Sequence, residues 1–316
     1  MIRRICLAAM AAVAVVGCCE KEGELIQFTE GGDLVTFSVS VPEPETKSIG
    51  PADEKTVNSL QVFAFDRNGI YEASAYGDKT QMVELTCTAG EKIIVALVNA
   101  EKEENVADYD DLAGRTVYLK DSGVGDLVMV GETDVTVAAG NSVTVDVSYI
   151  SSKVVLESVT LNLENQLHHD LDFAVTSVFL TNVAGDRKYI SDSTPQTWYH
   201  EGRFEEDNTL PFLRDIVEEG DIETGGKQYE VEHYFYCYPN SAADKKTRLV
   251  IETMIEGQLY YYPIELDKVL PNNQYSYSVV LTRLGIDSPD GSLEKGACGV
   301  TVSMKDWVTN SSVVEI

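Results

Sequence analysis

Basic residues are scarce in this sequence of 316 residues: 24 Lys and Arg stand against 52 Asp and Glu, a formal net charge of −28. That imbalance excludes a nucleic-acid binder, whose phosphates would be repelled, and excludes electrostatic attraction to anionic lipid. Cysteine is sparse too. The six, at positions 6, 18, 19, 87, 237 and 298, are too few and too scattered to form a disulfide framework. The fold must therefore stand on its hydrophobic core, and 44% hydrophobic residues over this length are enough for one large or two medium domains. No apolar stretch approaches the roughly 20 residues that a spanning helix needs. Catalytic signatures are missing as well: there is no His-Glu-x-x-His helix, no paired Cys-x-x-Cys and no Gly-x-Ser-x-Gly elbow. The expectation is a protein that is not an enzyme and needs no cofactor and no metal.

Weaker signals read as structure. His168-His169-Asp170 are neighbours, and neighbours on a strand point to opposite faces, so they are expected in an exposed turn. Gly220 to Lys227 misses a phosphate-binding loop because Gly226 stands where lysine is required. Asp287-Ser288-Pro289-Asp290-Gly291 is short for a calcium loop and reads as a turn. Tyr229, Tyr234, Phe235, Tyr236, Tyr238 and Tyr260-Tyr261-Tyr262 suggest either a carbohydrate-stacking face or a core, and strand alternation sends half of them inward.

At the start of the chain, Arg3 and Arg4 precede an apolar run from Ile5 to Val16 that is too short to cross a bilayer, as in a signal peptide. Val15-Val16-Gly17-Cys18 resembles a bacterial lipoprotein signal, which makes Cys18 the expected acylated first residue of the mature protein. Loss of residues 1–17 removes two arginines and no acid, so the charge of −28 becomes −30.

What fills the rest is alternation. Val35 to Val41, Leu60 to Phe65, Gln81 to Cys87, Ile93 to Asn99 and Val143 to Val147 have the period of two expected of half-buried strands. Asp66-Arg67-Asn68-Gly69 and Ala139-Gly140-Asn141 supply hairpin turns. Val106, Tyr109 and Leu112, followed by Gly114, predict one brief helix. The strand rhythm resumes with Lys153 to Leu163, Phe173 to Leu180, Gln228 to Tyr238, Thr247 to Ile255, Gln258 to Leu266 and Tyr275 to Leu284. Residues 201–226, rich in Asp, Glu and Gly, read as a solvated loop with room for a short helix. The fold class expected is all-β, with two tandem sandwiches spanning 48–150 and 151–316.

Four stretches occur in order: Asn58 to Asp66, Lys92 to Ala100, Leu127 to Gly131, and Ser151-Ser152-Lys153-Val154-Val155-Leu156-Glu157-Ser158-Val159. Behind a lipoprotein signal and ahead of a terminal strand at Trp307, this order resembles the fimbrillins, the type V pilins of Bacteroidetes. The resemblance implies two transthyretin-like, Greek-key sandwiches. It also implies export as an outer-membrane lipoprotein, cleavage by a trypsin-like protease, and polymerisation with other fimbrial subunits into a cell-surface fimbrium that serves adhesion.

Carried onto this sequence, the leader is 18–47, with cleavage between Lys47 and Ser48 in Pro44-Glu45-Thr46-Lys47-Ser48. The best-known members have arginine there, and lysine leaves the protease's identity open. The exchanged strand is that of Val35, Phe37, Val39 and Val41. The candidate donor lies in 300–316, with Val300 and Val302 alternating, Trp307 as an anchor, and Val313 and Ile316 closing the chain; Val300 to Met304 read more readily as the last strand of their own sandwich. Two alternatives stay open, an anchor subunit that keeps its lipid and escapes cleavage, and a monomeric surface lipoprotein that binds a glycan or host ligand.

Overall fold

The computed structural model describes residues 33–42, 52–164, 171–217, 228–293 and 298–306, with 302 and 304–306 described through their backbone alone. The first half contributes β1 (Leu34–Ser40), β2 (Ser59–Asp66), β3 (Tyr71–Asp78), β4 (Met82–Thr88), β5 (Gly90–Val98), the helix α1 (Tyr109–Ala113), β6 (Thr116–Tyr118), β7 (Met129–Val137), β8 (Ser142–Thr144) and β9 (Ser148–Tyr149). They form one sheet in the order β3-β2-β5-β7-β9 and a second in the order β4-β1-β8. Alternation dictates the pairing of these layers, because every second residue of β1 and β4 is buried. The turns sit where Gly69 (φ 81°) and Gly140 (φ 75°) take left-handed backbone that a Cβ would strain.

Within sheet β3-β2-β5-β7-β9 the central strands β2 and β5 are buried on both faces, so they are almost continuously apolar rather than alternating. One face meets β4-β1-β8. The other, with Phe63, Phe65, Val95 and Leu97, is covered by the crossover from 100 to 128, through Val106, Leu112, Val117 and Leu119. Asp108 caps α1 by accepting the Asp111 N–H at 2.8 Å, and Arg115 closes the helix with Asp111 at 2.9 Å.

The second half contains β10 (Ser152–Leu161), β11 (Phe173–Thr181), β12 (Val183–Ala184), β13 (Asp186–Lys188), β14 (Trp198–Tyr199), β15 (Arg214–Ile216), β16 (Gln228–Tyr229), β17 (His233–Cys237), β18 (Arg248–Ile255), β19 (Gln258–Glu265), β20 (Asn273–Leu281) and β21 (Cys298–Asp306). β10 lies between β16 and β17 on one side and parallel β20 on the other, and β21 forms the edge beyond β20. The facing sheet runs β15-β11-β18-β19. β6 of the first half pairs with β13 of the second, Asp186 opposite Tyr118 to Lys188 opposite Thr116. A single apolar core runs from the outer face of the first sheet through this seam into the second sandwich.

Several expectations need correction. The strand expected at Val143 to Val147 stops at Thr144, and that at Gln228 to Tyr238 breaks between Tyr229 and His233. Strand β3, Tyr-Glu-Ala-Ser-Ala-Tyr-Gly-Asp, was not anticipated because an edge strand with small and polar residues carries little hydrophobic alternation. Residues 201–217 are more than a solvated loop. Leu213 is fully buried, and the Phe204 ring lies 4.4 Å from that of Phe179, covering the outer face of β11. Asp290, read as part of a turn, accepts the Phe204 N–H at 2.7 Å. Among the described residues no group of His, Cys, Asp and Glu is placed to hold a metal ion. The stretches 165–170 and 218–227, with the His-His-Asp and glycine-rich motifs, lie outside the described residues.

Buried His200 organises this covering loop: its Nδ1 accepts the Glu205 N–H at 3.0 Å, its ring stacks on Phe204 at 4.7 Å, and Thr209 Oγ1 lies 3.2 Å from Nε2. Burial holds its pKa below the ordinary value, with Arg214 adding to the effect and Glu205, Glu206 and Asp290 opposing it. A histidine depressed in the folded state contributes full stability above its unfolded pKa of about 6.5, and that contribution is lost as pH falls below it. The urea midpoint is thus expected to drop more between pH 7 and pH 5 in the wild type than in His200→Asn, which tolerates the positive φ of 52° at this position. Parallel pH profiles for the two proteins would remove His200 from this role.

Candidate functional site

Strand β1 occupies the middle of its sheet. It pairs antiparallel with β4 over seven residues, from Leu34 opposite Thr88 to Ser40 opposite Met82, and parallel with β8 from Ser38 opposite Ser142 to Ser40 opposite Thr144. Flanking backbone bonds extend the hold: Val41 N–H to Gln81 at 2.9 Å, Gly140 N–H to Thr36 at 3.0 Å and Val145 N–H to Ser40 at 2.9 Å. Val35, Phe37, Val39 and Val41 all point inward, none more than 8% exposed, while the Leu34, Thr36, Ser38 and Ser40 face is open or half open. Their surroundings are apolar throughout: Val83, Leu85 and Cys87 on β4, Val143 on β8, and Leu60, Val62, Ile94 and Val98 from the opposing sheet.

In the sequence Cys87 ends the strand pattern from Gln81 and is otherwise one of the scattered thiols. Opposite Val35 in the register, it is a wall of this slot, and burial pushes its pKa up to about 11, with nearby Glu72 adding to the shift. Such a thiol is inert while β1 is in place. Beside it, Glu72 accepts from the Thr88 N–H at 3.1 Å and from Lys92 Nζ at 3.0 Å, the ion pair being buried. This network ties the end of β4 to β3 and β5, so one wall of the slot is anchored independently of β1.

At the other end lies a brace that the sequence did not suggest. Glu54, in a single helical turn over Ala52–Lys55, is 2% exposed, and its carboxylate pairs with Lys153 Nζ of β10 at 2.6 Å. The Tyr236 hydroxyl donates to the same carboxylate at 2.6 Å, and the Tyr149 hydroxyl donates to the Glu54 carbonyl at 2.6 Å. Burial, followed by the nearby Glu54 charge, raises the pKa of both phenols. Lys153 also stands 4.4 Å from the centre of the Tyr234 ring. Its signal was a lone cation inside the apolar run Ser152-Lys153-Val154-Val155-Leu156; a charge there is tolerated only with a partner. Glu54 stands in a polar stretch that gave no such hint.

The donor candidates lie apart from the slot. Val300 sits on β21 of the second sandwich, opposite Val279 and 38% exposed, and Val302 is opposite Tyr277. Trp307, Val313, Ile316, Cys18, Lys47 and Ser48 lie outside the described residues. Of the aromatic cluster, Tyr229, Phe235, Tyr236, Tyr238 and Tyr262 are buried, so a stacking face over all of them is ruled out; Tyr234, Tyr260 and Tyr261 are partly exposed. Cys87, Cys237 and Cys298 are free thiols.

A family model described as major fimbrial subunit protein (FimA) matches residues 35–169, from the inward face of β1 to beyond β10. The chain carries a fimbrillin-family region. Solved structures agree in fold over most of the chain. A candidate cell adhesion protein from Bacteroides eggerthii aligns with a TM-score of 0.68 at 20% identity, covering 88% of this chain and 97% of that one. A fimbrilin (FimA) from Porphyromonas gingivalis aligns at 0.67 and 15% identity, covering 87% and 98%. The tip fimbrial protein Mfa3 of the same organism, truncated at its C-terminus, aligns at 0.53 and 12%, covering 87% and 100%. No curated protein matches the chain. The fimbrillin match begins at Val35, so it takes in β1 from its second residue, and the similar structures extend the all-β fold across both sandwiches.

Proposed function

We propose that this chain is a structural subunit of a type V fimbrium, exported as a lipoprotein through Cys18, cut between Lys47 and Ser48, and polymerised for adhesion by exchange of β1 for a strand of another subunit. The observation that carries this reading is the central place of β1. A strand at a sheet edge can leave without opening the sheet, whereas the departure of β1 leaves β4 and β8 with unpaired backbone groups on facing edges. Burial of its four inward side chains is worth roughly 6 to 12 kcal/mol at about 1.5 to 3 kcal/mol each. An empty slot is therefore strongly disfavoured, and an incoming strand must replace β1 as it departs. The donor in this proposal is the segment 300–316, whose first part, in β21, lies at the edge of its sheet among the described residues.

The test uses protein lacking residues 1–17, with Cys18, Cys19 and Cys298 replaced by serine, treated briefly with trypsin in the presence of a chromogenic thiol reagent. Cleavage at Lys47 is expected to produce a ladder on an unheated gel and to make Cys87 reactive during the exchange. Lys47→Gln is expected to remain a single band with a silent thiol. Nicked protein that stays monomeric with Cys87 protected would overturn the reading.

A further inference from the structure

A second concavity lies where the halves meet, away from the β1 slot. It encloses about 500 Å³, within the range of small-molecule sites, and such sites favour junctions of this kind. Gly123 and Val124 of the crossover form one wall, Phe212, Arg214 and Asp215 a second, and Glu232, Tyr234 and Tyr236 a third.

Its polar groups are held in place by hydrogen bonds and ion pairs to the surrounding side chains. Asp215 is gripped by the buried His233, Nδ1 to Oδ2 at 2.6 Å, and His233 is fixed in turn by the Tyr229 hydroxyl at 2.7 Å from Nε2. Arg214 is set by the Ser177 hydroxyl at 3.2 Å and by Glu206. The Tyr234 hydroxyl donates to Glu232, and its ring rests on the Lys153 ammonium. The floor is rigid because Tyr236 is bound to Glu54 and packs in the first core, while Phe212 packs against both cores. Val124, 43% exposed, adds an aliphatic side chain to the lining. Acceptors, a donor and apolar surface thus converge, each fixed before any ligand arrives.

The chemistry narrows the occupant. An anion meets Asp215 and Glu232 within a protein of net charge −28, and is repelled. A purely apolar ligand would bury the carboxylates and the guanidinium without replacing their water. A cationic side chain would be opposed by Arg214. A neutral sugar meets none of these objections: its hydroxyls donate to the carboxylates and accept from Arg214, while its C–H face lies against Phe212 and Val124. We propose that this junction cleft binds a neutral saccharide, independently of whether the subunit polymerises.

The test is titration of the protein lacking residues 1–17 with neutral disaccharides (lactose, maltose, cellobiose and N,N′-diacetylchitobiose), read by saturation-transfer NMR and calorimetry. At least one is expected to bind saturably in the millimolar range, about −4 kcal/mol. Val124→Trp fills the mouth from an exposed position and is expected to abolish binding, and Glu232→Gln to weaken it about tenfold, the effect of one lost hydrogen bond to a charged group. Both variants should keep the wild-type melting temperature, and Lys47→Gln should bind normally, which separates this site from the processing reading. No binding by any of the four sugars at about 10 mM, binding unaltered by Val124→Trp, or preferential uptake of N-acetylarginine amide each overturns the proposal.

Discussion

Replacement of Lys153 by methionine is expected to destabilise the protein by about 3–5 kcal/mol, the cost of leaving a buried charge without its partner. Both members of the Glu54–Lys153 pair are out of contact with water, at 2% and 0% exposure, so the Glu54 carboxylate would lose its cation while the Tyr236 hydroxyl still donates to it. The double variant Glu54→Gln with Lys153→Met removes both charges and is expected to recover most of the loss, because a neutral amide beside a thioether carries no comparable desolvation cost. Urea denaturation of the four proteins of this cycle yields the coupling. An exposed pair provides the contrast. Lys102–Glu104, at 54% and 64% exposure, should contribute no more than about 1 kcal/mol. A Lys153→Met protein as stable as the wild type would mean that the brace contributes nothing to the fold.

A chain beginning at Ser48, and so lacking β1, is expected to be recovered only as oligomers or aggregate. Addition of a synthetic peptide spanning residues 33–42 should restore a soluble monomer. The reasoning is the roughly 6 to 12 kcal/mol assigned to the four inward side chains, comparable to the whole stability of a typical domain. A peptide carrying Phe37→Asp should fail, because Phe37 is 2% exposed among apolar neighbours and a carboxylate would find no partner there. Size-exclusion chromatography distinguishes the outcomes. A folded, unassociated Ser48 chain with an unchanged urea midpoint would show that β1 is dispensable, and strand exchange would lose its driving force.

Much of the architecture was legible from alternation. Val35, Phe37, Val39 and Val41 are spaced two apart, and all four are buried, because a half-buried strand has only one apolar face. The hairpin at Asn68-Gly69 and the short helix ahead of Gly114 were legible for equally local reasons. What stayed hidden depended on distant partners. The five-stranded sheet is covered on its second face by residues 100–128, and no local pattern in Phe63 or Val95 says what will cover them. Glu54 and Lys153 are 99 positions apart and become a pair only when the halves dock. The loop at 201–217 has its short helix at Glu206–Asn208, but its acidic composition hides two apolar residues, Phe204 and Leu213, that decide its packing.

The seam between β6 and β13, with one apolar mass continuous across it, bears on how the molecule responds to tension. Two sandwiches strung on a flexible linker would yield one after the other, each acting as a separate shock absorber. Here neither can shed its interior without stripping the cover from its neighbour, so the halves should hold or fail as one element. A subunit of this kind passes a pull from end to end with little stretch, which suits a stiff tether better than an elastic one.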